Sequence, residues 1–503
     1  MTNAAPLILD GSPLTPADLE GVARDWRPVR LAPEARARAE AARGVIESHL
    51  NDGQAHYGIN TGFGSLSKQR IPEHQLKDLQ RNLVRSHAAG VGDPLSPEIV
   101  RGMLLLLGAS LARGQSGVRP ELVELILGML NAGVTPVVPE LGSVGASGDL
   151  APLAHAALVM IGEGSAIMQG ATLPGDEALR RAGLAPIDLE AKEGLALING
   201  THLMAAQAAL LVRDADRLLE AAVIATAMSL DACRATDSFL DARVHAVRAH
   251  PAGERVAERL REALTGSEII PSHRFDDARV QDPYSIRCAV YVLGAASELL
   301  EFVRMATGRE LGAVTDNPLV FDNGDVISAG NFHGMPIALP LDTLALVAAH
   351  AAGISERRTY LMLSAMDPDY RLTPYLTREP GVQSGLMIAQ YTAAACCNEI
   401  IGLCTPATVS NIPTSAGIED YNSFGPRAAA KARRAIELAR HVVAIELLCA
   451  AEAIEHHRPL KSGVGVERAH AAVRSVVPRL DGDRTPSPDI AAIERLIQDG
   501  SLA

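Results

Sequence analysis

The residues best suited to chemistry lie in one short stretch, Gly142-Ser143-Val144-Gly145-Ala146-Ser147-Gly148-Asp149-Leu150. A glycine-rich turn there feeds straight into an apolar helical pattern. Such a turn can cradle a phosphate on the amides of a helix N-terminus. No lysine follows these glycines and no Walker-type strand precedes them, so the phosphate reading is weak. A second chemistry needs Ala146, Ser147 and Gly148 in that order. The amide nitrogen of Gly148 can attack the carbonyl carbon of Ala146 if the backbone folds back tightly, and glycine puts no side chain in the way. Loss of water closes a five-membered ring. Loss of the Ser147 hydroxyl as a second water leaves an exocyclic methylene. The product, 4-methylidene-imidazol-5-one, is an electrophile made by the chain itself, with no external cofactor. The N-terminus of the following helix favours negative charge on such a ring.

Other polar motifs accompany this stretch. They are Tyr57-Gly58-Ile59-Asn60-Thr61-Gly62-Phe63-Gly64, Asn82-Leu83-Val84-Arg85-Ser86-His87-Ala88-Ala89-Gly90, Leu197-Ile198-Asn199-Gly200-Thr201 and Gln281-Asp282-Pro283-Tyr284-Ser285-Ile286-Arg287-Cys288. Thr315-Asp316-Asn317-Pro318-Leu319 with Gly330-Asn331-Phe332-His333-Gly334, and Ile412-Pro413-Thr414-Ser415 through Glu419-Asp420, complete the set. In this order, and over nearly the whole chain, they resemble the histidine/phenylalanine ammonia-lyase family. The order of the motifs carries the resemblance more than any one of them.

The resemblance implies removal of ammonia and a β-hydrogen from an L-amino acid. It makes Ala146, Ser147 and Gly148 the source of the electrophile and Tyr57 the base. A phenol has a reference pKa of about 10, so Tyr57 needs a nearby cation or donor to act as a phenolate. Arg287 is the expected carboxylate clamp, because a guanidinium offers a carboxylate two parallel hydrogen bonds. Asn199, Gln281 and Tyr284 would supply neutral hydrogen bonds. Ser86-His87 matches the selectivity pair of histidine-specific members, where a histidine can hydrogen-bond a substrate imidazole. Glu419 would face that imidazole, accepting its N–H or taking a proton. Met387 would be an apolar wall, and Phe332 would pack near the prosthetic ring. The implied substrate is L-histidine and the product trans-urocanate, the first step of histidine degradation. The implied assembly is a homotetramer whose sites each draw on three subunits, with Tyr57 and Ser147 from different chains.

Several positions depart from the family pattern. Ile418 stands where a glutamine usually precedes the glutamate. Ala289-Val290-Tyr291 replaces Gln-Pro-Gln, and Arg85 replaces leucine. Three alternatives stay open: a tyrosine or phenylalanine ammonia-lyase or aminomutase, a lyase for a modified histidine betaine, and a helical scaffold without the chemistry.

These residues need elements to position them. The chain has 503 residues, 48% of them apolar but only 3% aromatic. Alanine and leucine dominate, and both enter helices at little cost. The expected fold is mainly α, with a central bundle of long helices and a smaller, loop-rich N-terminal part carrying short hairpins, as in the ammonia-lyase/fumarase-like superfamily. Residues 1–200 would hold the tyrosine loop, the selectivity segment and the prosthetic-group loop; residues 201–503 would hold the bundle and C-terminal helices. Helices are expected over 33–50, 97–114, 120–131, 202–232, 284–310, 338–364, 384–404 and 426–456, with another opening at Thr15-Pro16. Asp10-Gly11 within 7–14 and Asn323-Gly324 after Phe321 predict hairpins. Residues 54–72 read as a functional loop.

Net charge is −13, with no lysine/arginine run, which argues against a nucleic-acid partner. No signal peptide or membrane span is expected. The six cysteines show no metal spacing, so reduced thiols in a cytoplasmic protein are expected.

Overall fold

The computed structural model describes residues 4–50, 52, 54–275 and 277–502. It is mainly helical, and proline sets many of the helix starts. Pro16–Ala23, Pro97–Leu111, Pro120–Ala132 and Pro251–Leu264 each carry it in the first turn, where the missing N–H would have no partner anyway. Thr15 and Asp18 form a reciprocal capping box on the first of these. The long helices are His202–Ala232, Ala289–Glu310, Met335–Ser364, Met387–Leu403 and Gly425–Ile454, close to expectation.

The chain divides into two compact units. The first comprises Met1–Arg213, Val303–Asp342 and Pro406–Ala430, the second Asp214–Phe302, Thr343–Thr405 and Lys431–Ala503. The expected division has a single boundary at residue 200, whereas each unit here combines three stretches of chain. Hydrophobic periodicity marks elements but does not say which distant element completes a core.

In the first unit, Pro97–Leu111 is almost wholly buried between Pro16–Ala23 and Pro120–Ala132. Arg101 within it donates to Leu130 O at 3.0 Å and Val22 O at 2.8 Å, and its guanidinium lies 3.8 Å from the Trp26 ring centroid. A second layer matters more for function. Leu76–His87, Ala151–Met160 and Glu193–Ile198 pack mutually. Their ends present Ser86-His87, the Ala146-Ser147-Gly148 loop and Asn199.

In the second unit, Arg358 and Glu446 form a fully buried ion pair at 2.5 Å, and Ser229 Oγ donates to the same carboxylate at 2.7 Å. A buried charge pair holds only when its remaining valences are satisfied, as here. Pro251–Leu264 packs on Val464–Val476, which packs on Ser487–Asp499.

The hairpin expected over 7–14 does not form. Leu7–Leu9 instead pairs in parallel with Val29–Leu31, after the helix Pro16–Ala23. The Asp10-Gly11 turn signal is real, with Ser12 N donating to Asp10 Oδ1 at 2.8 Å, but it leads into the Thr15 helix cap rather than a return strand. The second hairpin does form, from Leu319–Val320 and Val326–Ile327. Ahead of the glycine-rich turn, Thr135–Pro136 pairs with Ser165–Met168 and Pro139–Leu141 with Val91–Pro94. All six cysteines are free. Among the described residues one helix, Met335–Ser364, is long and apolar enough to cross a membrane, and 61% of its most apolar window is buried within the fold.

Candidate active site

The Ala146-Ser147-Gly148 loop is clamped by two distant segments. The Gly200 amide donates to Ser147 O at 3.3 Å, and the Asp149 amide donates to Gly200 O at 2.8 Å. On the other flank Phe424 N donates to Val144 O at 2.9 Å, and Ser423 Oγ donates to Gly145 O at 3.1 Å. Gly148 has φ +74°, and a Cβ there would sit 2.1 Å from Gly200 O, so no other residue fits. Leu150 follows with φ +42°, an uncommon conformation for a side-chain-bearing residue, and leads into Ala151–Met160.

Asp149 is fully buried beneath this loop. Its Oδ2 accepts Leu203 N at 2.6 Å, while Oδ1 has no partner. Burial pushes its pKa up from 3.8 to about 8, so the carboxyl is held protonated at neutral pH.

Ser147 Oγ donates to Glu419 Oε1 at 3.4 Å. Thr414 holds the other side of that carboxylate, donating from Oγ1 to Oε2 at 3.2 Å. Ser147 and Glu419 line a cavity of about 870 Å³, together with Tyr57, His87, Ala146, Asn199 and Phe332. Tyr57 and Ser147 thus meet within one chain and one compact unit, not across two chains as expected, because both loops belong to Met1–Arg213. This is ample room for one amino acid.

Tyr57 sits half-buried in a loop that closes on itself. His56 N donates to Asn60 Oδ1 at 2.7 Å, Asn60 Nδ2 donates to Gln54 O at 2.8 Å, and Gly62 N donates to Gln69 O at 2.9 Å. Burial pushes the phenol above its ordinary pKa and the Glu419 carboxylate adds to that, while a hydrogen bond from the Gly64 backbone pulls the other way. None of the cavity's lining residues is lysine or arginine. The Gly64 backbone N–H is therefore the donor that favours the phenolate from within this lining.

His87 closes the helix Leu76–His87. Its Nδ1 lies 2.9 Å from Leu83 O. A carbonyl only accepts, so Nδ1 carries the hydrogen and Nε2 keeps the lone pair.

Asn199 is buried at the end of Glu193–Ile198, donating from Nδ2 to Asn317 O at 3.0 Å, and its Oδ1 has no partner. Gly148 is walled off behind the loop and does not itself line the cavity.

Gln281, Tyr284, Arg287 and Met387 belong to the second unit and are not among the lining residues. Arg287 Nε donates to Asp282 O at 3.1 Å and its guanidinium lies 4.7 Å from the Tyr284 ring centroid. Tyr284 is 70% exposed.

The cavity also contains residues to which sequence gave no role. Asn317, His333 and Asp420, which lie within the quoted motifs, line it, as does Tyr421 just beyond the last motif. His333 Nε2 lies 3.0 Å from Tyr421 O. For the first three, their place within the motifs was the available signal. Arg85, a departure from the family pattern, turns away to a bidentate ion pair with Glu163, the closest approach being 2.6 Å.

Comparison with known proteins defines the class of this helical scaffold, whose backbone-clamped Ala-Ser-Gly turn shares a cavity with Tyr57. Residues 14–475 match the family model for aromatic amino acid lyases, and the chain belongs to that family. Among its relatives, a histidine ammonia-lyase of Anaeromyxobacter dehalogenans is 49% identical over 99% of both chains. The crystal structure of histidine ammonia-lyase from Trypanosoma cruzi superposes with a TM-score of 0.91 at 42% identity, covering 99% of this chain and 94% of that one. A tyrosine aminomutase from Streptomyces globisporus superposes with a TM-score of 0.93 at 31% identity, covering 99% and 98%.

Proposed function

We propose that this protein is a histidine ammonia-lyase, converting L-histidine to trans-urocanate and ammonia. The carrying observation is that the Ser147 hydroxyl meets Glu419 in a cavity that Tyr57, His87 and Asn199 also line. The higher identity to histidine lyases than to the tyrosine aminomutase favours elimination from histidine over the aromatic alternatives.

The residues fit a 4-methylidene-imidazol-5-one group formed from Ala146, Ser147 and Gly148. The Gly200 backbone fills the space a side chain at 148 would need, which presses the turn tight. The unpartnered Oδ1 of Asn199 offers a buried acceptor beside it. When formed, the group supplies an electrophile that bonds the substrate and lets ammonia depart.

The chain's own side chains do the rest. The lone pair on His87 Nε2 accepts the N–H of the substrate imidazole, and Glu419 offers a second acceptor on the same cavity. Tyr57 takes the β-hydrogen. Burial and Glu419 oppose its ionisation, so the substrate's ammonium or a cation from elsewhere must lower its pKa. Arg287 is the candidate, clamping the substrate carboxylate, with Gln281 and Tyr284 as hydrogen-bonding partners and Met387 as an apolar wall. In this reading they reach the cavity from other subunits of a homotetramer. The exposed apolar side chains Ile388, Tyr391 and Ile401 on Met387–Leu403 support burial of that helix in an assembly. Six free cysteines accord with a cytoplasmic setting.

Incubation with L-histidine should raise absorbance in the urocanate band, and the intact mass should fall short of the sequence mass by two waters. Turnover of tyrosine with none of histidine would reverse the substrate assignment. A full sequence mass with no turnover would leave the scaffold reading.

A further inference from the structure

We propose that His49, Asp52 and His56 form a binding site for a divalent transition-metal ion of the zinc class, at the root of the Tyr57 loop. Their ligand atoms all lie within 4.8 Å of one another. His56 Nε2 is 2.7 Å from Asp52 Oδ2, and the His49 and His56 rings meet edge to face with centroids 4.7 Å apart. Bonds of about 2.0–2.2 Å in a tetrahedral shell put ligand atoms roughly 3.3–3.6 Å apart. Small side-chain shifts therefore suffice.

The ring chemistry is already arranged for coordination. His49 Nδ1 lies 2.9 Å from Val45 O. That carbonyl can only accept, so Nδ1 carries the hydrogen and Nε2 keeps the lone pair a metal needs. A backbone carbonyl behind a histidine is the usual partner that fixes a metal-binding tautomer. His49 also lies in the last turn of the helix Pro33–Leu50, where the terminal carbonyls favour a cation. At His56 the metal replaces the hydrogen bond to Asp52, and any proton on Nε2 passes to solvent. Two imidazoles and one carboxylate select a zinc-class ion over calcium or magnesium. Three protein ligands leave a position for water, so the ion exchanges.

The consequence lies in the neighbouring residue. His56 precedes Tyr57, and its backbone N–H is already tied to Asn60. An ion bridging His49 and His56 pins the end of a helix to the start of the loop that carries the phenol. This site stands whether or not histidine is the substrate.

The test uses tag-free, full-length protein, stripped with chelator and dialysed against zinc chloride or cobalt chloride. The expected result is one ion per chain, with the visible bands of tetrahedral cobalt. His49→Gln, His56→Gln and Asp52→Asn should each weaken binding by about tenfold or more. Asp52→Asn is nearly isosteric at an exposed position, and serves if a histidine variant misfolds. Zinc should also slow hydrogen exchange across 54–72 in the parent and not in His49→Gln. No ion bound by the parent, or equal binding by the parent and the double variant His49→Gln/His56→Gln, would overturn the proposal.

Discussion

Two glycine-rich loops meet at the cavity, and they are held in opposite ways. The Ala146-Ser147-Gly148 loop takes its hydrogen bonds from residues far along the chain, at Gly200 on one side and Ser423 and Phe424 on the other. The Tyr57 loop takes many of its own from within, through Asn60, Gly62 and Gln69. Under the proposed function the contrast follows from two tasks. Closing a ring between adjacent peptides needs two backbone atoms pressed together, which a clamp from outside the loop favours. A base loop needs only to bring one phenol to the cavity, and a self-contained loop can yield as substrate enters.

The largest effects should separate the two loops by chemistry. Ser147→Ala should remove the mass deficit and cut turnover about a thousandfold or more, with circular dichroism unchanged. Tyr57→Phe should keep the mass deficit in full and lower kcat by roughly 10²–10⁴. Mass spectrometry and steady-state rates check both. A Tyr57→Phe protein of full sequence mass would show that the tyrosine loop takes part in ring closure, and the contrast between the loops would fail.

The next pair of variants compares the loops through one dihedral angle. Gly148 and Gly58 have φ of +74° and +73°, so alanine meets the same intrinsic strain at both. Their surroundings differ. A Cβ at 148 meets the Gly200 carbonyl at 2.1 Å, which is backbone, whereas one at 58 meets side-chain atoms, Leu195 Cδ2 at 2.7 Å and Pro318 Cδ at 3.0 Å. Gly58→Ala should cost about 1–2 kcal/mol of unfolding free energy. Gly148→Ala should cost about 3 kcal/mol or more and also abolish the mass deficit. Equal costs by denaturant titration would mean that the external clamp gives way.

Local structure was legible where one residue type fixes it. Proline at helix starts, the Thr15 cap and the Asn323-Gly324 turn all act within a few residues, and each element appears near its expected place. The parallel pairing of Leu7–Leu9 with Val29–Leu31 was not legible, because a turn signal says that the chain bends and not which strand it meets. The site divides the same way. The order of Ala146, Ser147 and Gly148 suggests a ring-forming chemistry, and the backbone clamp on that turn is what the structure adds. The gathering of Tyr57, His87, Asn199 and Glu419 around one cavity came from resemblance, since no spacing rule joins residues so far apart. Asp149 went unread: a carboxylate after a glycine turn looks like a helix cap, and only its burial shows otherwise.

Asp149 gives the smallest and most specific effect, because it reports the clamp without touching the cavity. Its carboxyl is neutral in the fold, with a pKa raised from 3.8 to about 8. The folded state therefore holds a proton that the unfolded chain releases near its ordinary value. By linkage, this group's stabilising contribution is complete below about pH 4 and is lost progressively as pH rises towards 8. Asp149→Asn keeps a carbonyl oxygen for Leu203 N and removes the titration. The difference in stability between variant and parent should thus grow in the variant's favour from about pH 4 to 8, read as denaturant midpoints across that range. Taking the difference cancels every group the two proteins share. Parallel midpoint curves would mean that water or a counter-charge reaches Asp149, and the loop above it would then be less tightly enclosed than the Gly200 clamp implies.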